Sequence, residues 1–87
     1  MIGRLHALPV QGDALLTLSA AVDKKGEQSE PWMLLHTFDQ DPNGSLGFVW
    51  TEVYASSWAF KYHLQNPDLN AYLEAAGAIT DAFSVEL

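Results

Sequence analysis

The stretch FVWTEVYASSWAFKYHL, Phe48 to Leu64, holds the two residues best suited to chemistry, Glu52 and His63. An imidazole titrates near neutral pH, so His63 can take a proton from a bound hydroxyl or give one back. Ala59 and His63 share a helical face one turn apart, and the small residue leaves room for a ligand against the ring. The plainer alternative is a core histidine held by a backbone carbonyl or by Glu52. Glu52 sits in an alternating run of aromatic residues, where a carboxylate is costly unless it is paired or protonated. Such a site raises its pKa and suits it to orient His63. A rim carboxylate bonded to Arg4, to a backbone amide or to a second chain is the competing reading of Glu52.

Around this pair, Trp50, Tyr54, Ala59, Phe60 and His36 are the candidate lining of a pocket for a planar, aromatic small molecule. Trp32, Trp50 and Trp58 either shape that cavity or fill the core. Other chemistries find no support. His6, His36 and His63 fall on separate elements without the short spacing of a metal motif, so no metal centre is expected. Ser56 and Ser57 precede a helix without a nucleophile elbow and read as caps. The absence of cysteine removes thiolate chemistry and disulfides. Any reaction here is expected to run without a cofactor.

These residues must be placed by strands and helices. Ile2 to Val10 alternates as a first strand. Asp13 reads as the N-cap of a helix over about residues 13 to 25, with Lys24, Lys25 and Gly26 as its stop signal. A strand opens at Pro31 and runs to DPNG, where Pro42, Asn43 and Gly44 offer the fixed and positive φ values of a tight hairpin. The return strand, roughly Leu46 to Tyr54, puts Phe48, Trp50, Glu52 and Tyr54 on one face and Val49, Thr51 and Val53 on the other, both at least half buried. Ser56 caps a helix through Leu64, Asn66-Pro67 breaks it and starts another segment, and DAFSVEL closes the chain with Ala82, Ser84 and Glu86 alternating against Phe83, Val85 and Leu87.

Strand, helix, strand, strand, helix, strand is the βαββαβ order of an α+β, ferredoxin-like fold: a four-stranded antiparallel sheet with its helices on one face. The other face then lacks cover within the chain. With hydrophobic residues at 48% and charged residues at 17%, the 87 residues form a single domain, 1–87, whose small core gains from a twofold mate. A homodimer is expected. The net charge of −7, with only four Lys and Arg, argues against nucleic acid and anionic membranes and for neutral or aromatic ligands. No run approaches a membrane span and no basic leader precedes an apolar segment, so a soluble, unprocessed, cytoplasmic chain is expected.

The segment FVWTEVYASSWAFKYHLQNPDLNAYL, with Glu52, Tyr54, Ser56, Ala59, His63-Leu64, Asn66-Pro67, Leu69 and Leu73 in order, resembles the signature of the antibiotic biosynthesis monooxygenase family of dimeric α+β barrels. The resemblance covers nearly the whole chain. It implies a dimeric barrel and a cofactor-independent monooxygenase acting on a small aromatic or quinol-type substrate between helices and sheet. Where that family ordinarily shows Glu-Pro-Gly-Cys, this chain has Glu30-Pro31-Trp32. The haem-degrading members imply a histidine near Leu73 and an asparagine near Leu5 or His6, and both are missing, which speaks against haem. The alternative is a non-catalytic dimer of the same fold that binds a small molecule or scaffolds a partner. An isomerase of a keto acid or lactone ranks lower, having only Arg4, Lys24, Lys25 and Lys61 for its anion.

Overall fold

The computed structural model describes residues 1–86. Its elements are β1 (Ile2–Ala7), α1 (Gly12–Ser29), β2 (Met33–Gln40), β3 (Gly47–Tyr54), α2 (Ser57–Leu64), α3 (Pro67–Gly77) and β4 (Thr80–Glu86). The four strands pair antiparallel in the order β2-β3-β1-β4. This is the expected ferredoxin-like arrangement, with the second helical region split in two. Ser56 accepts a hydrogen bond from the Ala59 amide to start α2, and Asn66 caps α3 with Pro67 in its first turn. Among these residues no helix is long and apolar enough to cross a membrane. The expectation for Leu87 lies outside the described residues.

Several boundaries differ from the sequence expectation for identifiable reasons. β1 ends at Ala7, because Val10 adopts a φ of 62° in the turn where the Gln11 amide bonds the Leu8 carbonyl. The cap of α1 is Gln11, without a side-chain bond, and Asp13 sits in the first turn, where it meets the positive end of the helix. Gly26 does not stop α1. It is buried, and a Cβ there would touch Met33 Cε at 3.4 Å, so the helix runs four residues closer to β2 than its glycine suggested. Pro31 and Trp32 precede β2 rather than begin it. The DPNG turn uses no positive φ; the Asp41 side chain accepts from the Asn43 amide at 2.8 Å and holds the turn instead.

Register decides which strand residues face the helices. Leu5 lies opposite Phe48 and Gly3 opposite Trp50. Phe38 pairs with Trp50 and His36 with Glu52. The helix side of the sheet therefore carries Leu5, Ala7, Phe48 and Trp50, which pack with Leu15 of α1 and with Tyr72 and Ala76 of α3 as the core. Ser19 stands in the buried stripe of α1 because it is bonded: its hydroxyl lies 2.7 Å from that of Tyr72, which also accepts from Trp50 Nε1 at 3.0 Å. One small network thus joins α1, α3 and β3. The opposite face of β3 is more open than expected. Val53 is 47% and Leu35 46% exposed there. Toward β4 that outer face becomes polar, where Arg4 pairs with Glu86 and His6 with Asp81.

Candidate functional site

A cavity of about 360 Å³ lies between the helix side of the sheet and the three helices. Its walls are apolar and aromatic, with Trp50 below, Phe60 from α2, Leu69 and Tyr72 from α3, and Phe83 and Val85 from the edge strand. Phe83 and Val85 are half exposed at its edge. The cavity has the size of a small-molecule site, and the turn from α2 into α3 at Asn66 lies on its wall.

The polar end of this cavity is built from Glu30, His63, Asn66 and Glu52. Glu30 follows α1 directly, its amide bonded to the Gly26 carbonyl at 2.8 Å, so the helix terminus aims its side chain. The Glu30 carboxylate faces His63 Nδ1 at 2.9 and 3.1 Å and accepts from Asn66 Nδ2 at 3.0 Å. A carboxylate accepts and does not donate, so Nδ1 is the nitrogen that donates to Glu30, and Nε2 is the ring nitrogen turned toward Glu52. Nε2 is 3.6 Å from Glu52 Oε2. Glu30, Glu52 and His63 are 2%, 6% and 7% exposed, so two carboxyl groups and one imidazole share a dry environment.

Burial is the main reason that the Glu52 carboxyl is pushed up from the usual carboxylate range; Glu30 adds to this, while His63 opposes it. Glu52 is thereby suited to hold a proton that an exposed carboxylate would release. Tyr54 packs against the His63 and Phe60 rings, its hydroxyl buried beside Glu52. Burial, then the neighbouring Glu52 and Glu30, push its phenol far up, so it stays neutral. The Tyr72 hydroxyl is also pushed up, by burial ahead of other effects.

Of the residues singled out from sequence, His63, Glu52, Trp50 and Phe60 meet at the cavity. Tyr54 stands behind His63, outside the lining, and Ala59 is fully buried one turn before His63 without bordering the cavity. His36 is on the helix side but does not line the cavity, being bonded through Nδ1 to Asp23 of α1 with Glu27 nearby. Asp23, Glu27 and His36 offer three ligand atoms within 4.8 Å of one another, a grouping that spacing along the chain hid because it spans a helix and a strand. Sequence reasoning missed Glu30 and Asn66 as site residues. Asn66 was visible as a helix cap, and it does cap α3 through Oδ1 while its Nδ2 reaches Glu30. Arg4, the partner weighed for Glu52, pairs with Glu86.

No family model and no curated protein matches the chain. Solved structures do match its fold. A Caulobacter crescentus CB15 protein named provisionally as an antibiotic biosynthesis monooxygenase superposes with a TM-score of 0.91 at 21% identity, over 98% of this chain and 81% of that one. A Deinococcus radiodurans protein named likewise gives 0.87 at 20% identity, over 99% and 88%. A third so named, from Chloroflexus aurantiacus J-10-fl, gives 0.73 at 27% identity, over 99% and 89%. The chain has the fold of proteins carrying that name.

Proposed function

We propose that this chain is a member of the antibiotic biosynthesis monooxygenases, acting on a small aromatic or quinol-type substrate without a cofactor. The observation that carries the reading is an apolar cavity ending on a buried Glu30-His63-Glu52 cluster in which Glu30 holds His63 Nδ1 and Nε2 lies on the Glu52 side. The ligand's hydroxyl gives its proton to Nε2, and Glu30 steadies the imidazolium through Nδ1. The resulting anion is electron-rich and passes electrons to O₂. A C–O bond forms, and loss of water from the hydroperoxide leaves the ring one oxygen richer. For a naphthohydroquinone the product is a hydroxynaphthoquinone and one water, so ring and oxygen supply all the electrons. Apolar walls keep water from the anion.

The same proposal includes a homodimer, formed by the outer sheet face on which Leu35, Val53, Val49 and Thr51 lie without cover from the chain's own helices. The reaction is tested by oxygen uptake with a panel of naphthohydroquinones, and the product is weighed under heavy-isotope O₂. Label in the product, lost in a folded His63→Gln variant, supports it; equal labelling in both rules out His63 as the base. A non-catalytic dimer that binds a metabolite or partner is the second reading. It draws on Trp58, 60% exposed, which packs with Trp32 and Tyr62 as an aromatic surface on the outside of α2.

A further inference from the structure

Four carboxyl groups border the cavity, Asp23 and Asp68 at its half-exposed margin and Glu30 and Glu52 at its buried end, and among the described residues no lysine or arginine lines it. Glu52 is the central one. It faces His63 from α2, Glu30 from the end of α1, Tyr72 from α3, His36 across the strand pair, Tyr54 on its own strand and the amino group of Met1, which donates to its carbonyl. Glu30 is already engaged by His63 and Asn66, so Glu52 is the carboxyl left to meet a ligand.

An aromatic alcohol fits this arrangement by donating to His63 Nε2, and an aromatic amine fits by donating to Glu52. An aromatic acid does not. Its carboxylate lies either against an apolar wall, where no donor replaces its lost water, or at the polar end, where the Met1 ammonium and the Asn66 amide are already bonded to the Glu52 carbonyl and to Glu30 and the like charge of Glu52 opposes it. The second position becomes acceptable when a proton enters with the ligand, and Glu52, whose like charge opposes the acid, is the group assigned that proton ahead of His63 Nε2. Binding of the acid then consumes a proton.

We propose that the cavity binds aromatic ligands of zero or positive charge and turns away the corresponding acids unless a proton enters with them, and that Glu52 sets this selection. The inference rests on the cavity being a ligand site, as in the proposed reaction, yet it concerns binding and stands apart from turnover. Calorimetric titration of the full chain with a naphthol, a naphthylmethylamine and a naphthoate tests it. At pH 8 the naphthoate binds at least about tenfold more weakly than the naphthol. Its affinity rises toward about tenfold for each unit the pH falls, and its heat depends on the buffer as one proton is absorbed. In Glu52→Gln, checked by circular dichroism, the naphthoate comes within about threefold of the naphthol and loses most of that pH dependence.

Equal binding of naphthol and naphthoate by the wild type at pH 8 overturns the proposal, and so does a preference that survives unchanged in Glu52→Gln. A naphthol that binds while no naphthohydroquinone of the panel drives oxygen uptake refutes the reaction and leaves the charge selection standing. Binding of none of the three overturns both.

Discussion

Removing the Glu30 carboxylate tests whether the buried end of the cavity is held together as its geometry indicates. Glu30 Oε2 is the shared acceptor of His63 Nδ1 at 2.9 Å and Asn66 Nδ2 at 3.0 Å. In Glu30→Ala both donors lose it, and a buried donor without a partner costs about 1–3 kcal/mol. The expected loss is therefore about 4 kcal/mol, a large share of the roughly 5–15 kcal/mol that stabilises a small domain. Glu30→Gln keeps an oxygen where both donors converge, forfeits the charge assistance, about 1 kcal/mol for each bond, and replaces the second contact of Oε1 with Nδ1 by an amide nitrogen. Its expected loss is about 2 kcal/mol. Urea unfolding at pH 7, followed by tryptophan fluorescence, measures both. Glu30→Ala within about 1 kcal/mol of the wild type, or Glu30→Gln as costly as Glu30→Ala, refutes the shared-acceptor argument.

Three further outcomes are expected. The folded-state pKa of Glu52 lies above its unfolded value, so the native state binds more protons in between, and stability falls as pH rises from the unfolded pKa near 4.5 through the folded one. Glu52→Gln removes that decline, so its stability is level where the wild type's falls, as thermal melts from pH 4 to 8 will show. Val10, a β-branched residue at a φ of 62°, carries left-handed strain, so Val10→Asn raises stability by about 1 kcal/mol in urea unfolding; a loss instead places Val10 in another conformation. Sedimentation equilibrium at micromolar concentration returns about twice the chain mass of 9.6 kDa, and Val53→Asp returns the monomer; a folded wild-type monomer refutes the dimer.

Much of the fold is legible in the sequence because local signals agree with packing. Period-two alternation places Phe48, Trp50 and Glu52 on the helix side of β3, and Asn66-Pro67 both ends α2 and begins α3. Where long-range contacts decide, the local signals mislead. Gly26 after two lysines has the form of a helix stop, yet its contact with Met33, several residues on, makes it part of a continuous helix. Val10 has none of the composition of a left-handed turn residue.

The candidate site divides the same way. Glu52 and His63 stand out because a carboxylate among rings and an imidazole near a small residue are conspicuous in one stretch of chain. Glu30 is the imidazole's principal partner from 33 residues away, and although Glu30-Pro31 stands out beside the family's Glu-Pro-Gly-Cys, its place at the end of a helix does not tie it to His63. Asn66 is hidden differently. Its capping role accounts for its place in the sequence, and its second bond, to Glu30, exists only once α1 and α3 are brought together.

The most direct test of the account is nuclear magnetic resonance of the full chain during titration with a naphthol, read at the histidine ring nitrogens and the tryptophan side chains. The account predicts that the ligand moves the Nε2 resonance of His63 and the indole of Trp50 together, with Nδ1 remaining the protonated nitrogen through its bond to Glu30. Shifts confined to Trp58 and Trp32 on the outside of α2, with His63 and Trp50 unmoved, would contradict it and place the ligand elsewhere.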